Sequence, residues 1–126
     1  MQLRILISVI VVLATLGLYA ARTYIIELDR PDKMTTKTKA NELYDKGDFS
    51  SAAMFYRRYY EVFDSNDVNV RIDYGYSLFK SGFGKEGIAM TQSALTIDKD
   101  NVPAMMNVAI MYYESGAVKE SVNWFR

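Results

Sequence analysis

Two hydropathy regimes divide the chain. From Ile5 to Ala21 the run ILISVIVVLATLGLYAA holds 17 uncharged residues between Arg4 and Arg22, with no polar face. Beyond Lys33 apolar residues recur three and four positions apart, interrupted by Gly, Asp and Asn. The first pattern predicts one uniformly apolar helix, and the second a series of short amphipathic helices.

A helix of that first length spans about 25 Å, and the flanking arginines can snorkel toward the edges of a hydrocarbon core about 30 Å thick. Ten of its first fourteen residues are Ile, Leu or Val, which together favour insertion by several kcal/mol. The segment therefore predicts a transmembrane anchor. A cleaved signal peptide is the competing reading, but cleavage wants small residues two apart. Ala21 is preceded at that distance by Tyr19, and Ala20 by Leu18. A buried core helix would need a polar face, which this run lacks. Tyr19 and Tyr24 lie where interfacial aromatics belong, and Ile25, Ile26 and Leu28 carry the helix onward until Pro31 disfavours helix at Arg30. The expected organisation is an anchor over residues 1–28, a linker over 29–32, and a helical domain over 33–126.

Within that domain three glycines stand at matching intervals: Gly47, Gly82 and Gly116, separated by 35 and 34 residues. Each follows a pair of large residues, Leu43-Tyr44, Leu78-Phe79 and Tyr112-Tyr113, and each precedes by five positions a small one, Ala52, Gly87 or Ser121. The glycine suits a left-handed residue that ends one helix, and the small residue lets the next pack close to it. The units are 33–66, 67–101 and an incomplete 102–126. Helices are predicted over 33–46, 50–63, 68–80, 85–97 and 102–114 and from 119 onward, with Asn101 capping the fifth and Pro103 in its first turn.

This pattern resembles the tetratricopeptide repeat, a family of helix pairs about 34 residues long. The second unit matches it best, through Tyr74-Gly75, Leu78, Gly82, Gly87, Ala94 and Ile97. The third contributes Val108-Ala109, Tyr112, Gly116, Ser121 and Phe125. In the first, Ala40, Leu43, Gly47, Ala52 and Tyr56 match, while Lys39 replaces the usual leucine and Tyr59 the usual alanine. The family's proline between repeats is absent, with Asp64 and Lys99 in its place. The resemblance implies an all-α fold, an α-solenoid of about two and a half helix hairpins. The second helix of the last hairpin reaches only about two turns before Arg126, so a partner or further chain is expected to cover that end.

Composition narrows the chemistry. Fifteen Lys and Arg balance fifteen Asp and Glu, so no bulk field attracts nucleic acid. With no Cys and no His, thiolate nucleophiles, imidazole bases and the usual soft-metal ligands are excluded. The remaining carboxylates fall mostly in turns and on polar helix faces, and the chain is read as no enzyme, with no cofactor, metal or small-molecule substrate. Arg57-Arg58 among Tyr56, Tyr59 and Tyr60 reads as a helix with aromatics inward and cations solvated. Met105, Met106 and Met111 read as packing residues, and Ser81-Gly82-Phe83-Gly84-Lys85 as a turn, since no strand precedes it.

The resemblance further implies a groove lined by the first helix of each pair. Matching positions are Lys37, Asn41 and Tyr44, then Ile72, Tyr76 and Phe79, then Met106, Ile110 and Tyr113, each trio on one helical face. A family subset clamps C-terminal carboxylates. Lys37 and Asn41 match its first pair, but Asp73 stands where an asparagine is needed, and Pro103 and Asn107 where cations are needed. The expected function is a membrane-tethered scaffold for protein partners, such as other subunits of a membrane complex. The alternative is a chaperone-like receptor for extended clients. A bacterial inner membrane is the expected location, and one extra flanking cation leans the domain toward the cytoplasm.

Overall fold

The computed structural model describes residues 2–28 and 31–125, and side chains outside 23–30. Among the described residues the chain is all-helical, in two compact units, Met1–Pro31 and Asp32–Arg126. The first unit is the single helix α1, Gln2–Leu28. Its stretch Gln2–Arg22 is long and apolar enough to cross a membrane, a property that signal sequences share. The helix begins earlier than the charge-free run, because Arg4 and Gln2 are good helix formers and the Ser8 hydroxyl bonds back to the Arg4 carbonyl at 2.8 Å.

The second unit holds α2 (Lys33–Asp45), α3 (Phe49–Arg58), α4 (Val68–Lys80), α5 (Gly84–Ala94), α6 (Val102–Glu114) and α7 (Val118–Trp124). Pairs α2–α3, α4–α5 and α6–α7 pack most closely, and α4 and α6 lie against the preceding pair.

One turn recurs in all three pairs. Gly47, Gly82 and Gly116 adopt φ of 77°, 94° and 81°, the only positive values among the described residues. At each, the amide after the glycine donates to the carbonyl five residues back: Asp48 to Leu43, Phe83 to Leu78 and Ala117 to Tyr112, all at 2.9 Å. The glycine amide itself donates to Tyr44, Phe79 or Tyr113. These paired bonds satisfy carbonyls that a helix end would orphan, and the left-handed residue that permits them favours glycine.

Starts are equally local. Carboxylates of Asp32, Asp48 and Asp67, and the Asn101 side chain, accept from the backbone amides of Thr35, Ser51, Val70 and Ala104. Each satisfies one otherwise orphaned donor.

The small residues after the turns are buried, and so are their partners Ala40, Gly75 and Ala109. Gly75 and Gly87 bring α4 and α5 into backbone contact. A β-carbon on Gly75 would lie 2.7 Å from the Gly87 carbonyl oxygen, and one on Gly87 would lie 2.5 Å from that of Gly75.

Two ends depart from the simple periodicity. After α3 the chain widens into a π turn, Tyr59–Phe63, closed by the Asp64 amide donating to the Tyr59 carbonyl at 3.0 Å. Tyr59, itself buried, stands where the next pair has Ala94. Predicted to reach Ile97, α5 ends at Ala94. The following amides of Leu95, Thr96 and Ile97 donate three residues back, and the Thr96 hydroxyl caps the Ser93 carbonyl at 2.6 Å, which tightens the last turn.

The main core gathers Ala40, Ala52, Ala53, Tyr56, Tyr59, Val70 and Tyr74. A second cluster joins Ile72, Ala94 and Ala104. In the Arg57-Arg58 stretch Tyr56 and Tyr59 are buried and Arg57 is exposed, but Tyr60 is only half-buried. Arg58 is half-buried with its Nε buried and without a hydrogen-bond partner among the described residues, so it is not the solvated cation that the sequence suggests. Of the methionines, Met111 is fully buried and Met106 exposed.

Candidate functional site

The residues that sequence pattern assigned to one surface are not all gathered together. Ile72 is 4% exposed, buried by Ala94 and Ala104, and offers no surface. Met106 and Tyr113 are exposed and Ile110 half-buried on α6. Phe79 is half-buried against the start of α5, its ring lying about where a β-carbon on Gly84 would make ordinary contact. Tyr44 and Tyr76 do meet, and Asn41 joins them through Tyr56, while Lys37 lies instead against Asp67 and Tyr59.

Aromatic rings form the wall. Tyr44 packs on Phe49 at 5.4 Å and on Tyr76 at 6.0 Å, and Phe49 meets Tyr76 edge-on at 5.5 Å. Tyr56 adds a fourth ring 6.3 Å from Tyr44, and its hydroxyl donates to the Asn41 side-chain oxygen at 2.8 Å. Edge-to-face contacts of this kind add about 0.5–1.5 kcal/mol each beyond the area they bury. Burial pushes the Tyr44 hydroxyl up to about 12 and raises that of Tyr56 further. Both rings therefore stay neutral hydrogen-bonding groups at physiological pH.

Charges on this face are mostly engaged. Lys37 Nζ lies 2.6 Å from Asp67 Oδ2, which also accepts the Tyr59 hydroxyl at 3.0 Å, while Asp67 Oδ1 caps α4. Burial works against the Asp67 carboxylate, yet the Lys37, Val70 and Tyr59 donors hold its pKa below the ordinary value. The same bond raises Lys37. Lys80 sits 5.9 Å above the Tyr76 ring and 3.9 Å from Glu114.

Asp73, one turn before Tyr76 on α4, is the exception. It is half-buried, and burial raises its carboxyl to about 6, with Lys37 opposing that shift and Asp45 and Asp67 reinforcing it. Sequence reasoning noticed Asp73 only as a departure from a known clamp. Its half-burial is a tertiary property that no local pattern carries.

The shift has a consequence for stability. Folded Asp73 holds its proton more tightly than an unfolded aspartate, so its contribution favours folding below about pH 4. That contribution is lost as pH rises through about 6. We expect Asp73→Asn to stabilise the domain by ~2 kcal/mol at pH 7. Chemical denaturation across pH should show the gain shrinking to nothing near pH 4. A gain that is independent of pH would assign it to packing instead.

A separate depression of about 260 Å³ lies between α3, α4 and α5, lined by Ala53, Met54, Tyr74, Leu78 and Phe83, with Arg57 and Glu86 also in its lining. It falls below the usual range for small-molecule sites, roughly 300–1,000 Å³. The aromatic face is therefore the stronger candidate.

No protein-family model matches the chain, and comparison with curated proteins gave no significant match.

Proposed function

We propose that this protein is a membrane-tethered interaction scaffold of tetratricopeptide type, held by α1 and binding a segment of a partner protein on the face built by Tyr44, Asp73 and Tyr76. The observation that carries the reading is the recurrence of one glycine turn at Gly47, Gly82 and Gly116, each joining two helices through a buried small residue. Stacked pairs with that connector form extended surfaces suited to holding peptides or helices. Exposed Met106 and Tyr113 on α6 extend the apolar character of the surface beyond the aromatic wall.

In this reading the stretch Ile5–Ala21 remains in the bilayer and the domain serves as an accessory or assembly subunit of a membrane complex. Mild detergent extraction followed by affinity purification tests both halves. A full-length chain with a stoichiometric protein partner is expected, and a chain lacking its N-terminal 21 residues or running as a lone monomer counts against it. Tyr76→Glu places a charge against Tyr44 and Phe49 and should weaken partner binding at least tenfold. Unchanged binding by this variant, with its helical signal intact, would move the site elsewhere.

A further inference from the structure

Helices α3 and α5 both pack on α4 but make little contact with each other, and a furrow of about 260 Å³ stays open between them. Its floor holds Ala53 and Tyr74, both buried. Met54 on α3 and Phe83, just before α5, stand at its sides with 71% and 55% of their surface exposed. No residue of this lining belongs to the ring cluster of Tyr44, Phe49 and Tyr76.

A depression below the small-molecule range, walled by a methionine and a phenylalanine, suits a single large apolar side chain of a protein partner. Binding energy between proteins concentrates in such places, where an anchor from one surface fills a desolvated pocket of the other. Met54 is unbranched and adjusts its shape to what enters.

The rim states the partner's charges. Arg57 on α3 and Glu86 in the first turn of α5 line the furrow from its two walls. Arg57 meets Glu61 at 3.9 Å, but both side chains are mostly exposed, and such a pair contributes little. Glu86 is exposed and has neither a hydrogen bond nor an ion pair among the described residues. A cation on one wall and a carboxylate on the other, around an apolar centre, is the anatomy of a protein interface, and the opposed charges fix which way round the partner sits. A phosphate-bearing ligand would meet Glu86. On a helix, residues three or four positions to either side of a central one share its face, so one apolar anchor can carry both complementary charges.

We propose that this furrow is a second docking site, taking one large apolar side chain of a helical protein segment that bears an acidic residue toward Arg57 and a basic residue toward Glu86. It uses neither Tyr44 nor Tyr76, and so it stands or falls separately from the aromatic face.

The test uses the full chain in lipid nanodiscs and a displayed library of helical peptides, randomised at one central position and at those three and four residues to either side. Selection is run on the unaltered protein and on Arg57→Glu/Glu86→Lys, whose altered side chains are exposed and whose helical signal is checked by circular dichroism. The unaltered protein should enrich Leu, Met or Phe at the centre, with an acid on one side and a base on the other. The double variant should enrich the same centre with the charges exchanged. A peptide selected on the unaltered protein should lose about tenfold in affinity for the double variant and regain it when its own acid and base are exchanged. It should lose at least as much on Phe83→Ser and bind Tyr76→Glu unchanged. Peptides whose charges ignore the double variant, or whose binding needs Tyr76 and not Phe83, would overturn the furrow site and leave the aromatic face standing. Failure to select any peptide would overturn it as well. Self-association of the unaltered chain that the double variant loses would overturn the assignment to a separate partner in favour of a second copy.

Discussion

Tyr56→Ala should remove a large share of the helical domain's stability. The ring is fully buried among Ala40, Ala52, Val70 and Tyr74, and its hydroxyl holds Asn41 across the first helix pair. Truncating a buried aromatic to alanine costs about 3–5 kcal/mol. A domain of this size has about 5–15 kcal/mol in all. The melting midpoint should fall by more than about 12 °C, at roughly 4–8 °C per kcal/mol. Tyr56→Phe separates the two contributions: it removes only the hydroxyl and should cost about 1 kcal/mol. Thermal melts followed by circular dichroism measure both, and similar losses for Ala and Phe would mean the ring itself contributes little.

Gly87→Ala is expected to be nearly as damaging, for the opposite reason. The added carbon would sit 2.5 Å from the Gly75 carbonyl oxygen and 2.7 Å from the Phe79 amide nitrogen. Both obstacles are backbone, so no side chain can rotate aside and α5 must retreat from α4. Overpacking of this kind costs about 1–3 kcal/mol, and a contact made wholly of backbone belongs at the upper end. Gly84→Ala provides the control. Its new carbon would touch only ring carbons of Phe79 at 3.7 and 3.8 Å, an ordinary contact, and replacing a helical glycine there should gain up to about 1 kcal/mol. Denaturant midpoints of the two variants should move in opposite directions. A gain for both would mean that helix propensity outweighs the interhelical contact, and a loss for both that Gly84 is needed at the start of α5.

The parts of the fold that were legible in the sequence are those written locally. Glycine at the end of an amphipathic run announces a left-handed residue, and the turns at Gly47, Gly82 and Gly116 have it. Asn101 ahead of Pro103 announces a helix start, and α6 begins at Val102. Less legible were features that depend on what a neighbouring helix brings. Periodicity placed Ile72 on a face with Tyr76 and Phe79, but it does not say which part of that face Ala104 will cover. Asp67 carried no signal in the sequence, yet one of its oxygens caps α4 and the other joins α2 to the π turn through Lys37 and Tyr59. The widening at Tyr59 had only one sequence trace, a tyrosine where the second unit has Ala94. Asp73 stood out only as a departure from a carboxylate clamp, and nothing in the sequence marked its burial, because desolvation is a property of the assembled surface.

The caps and turns have one more implication, for how such a chain can change length. Asp32, Asp67 and Asn101 start the first helix of each pair, and Gly47, Gly82 and Gly116 end it, at steps of 35 and 34 residues. Each cap stands at the residue directly before the helix it starts, and each glycine just after the helix it ends. Duplicating or deleting a whole stretch therefore carries its punctuation along, whereas inserting one residue within a helix rotates its later side chains by about 100° away from the core. Insertion or deletion of a whole unit should therefore cost less stability than insertion of one residue within a helix, which denaturation of the two variants would compare.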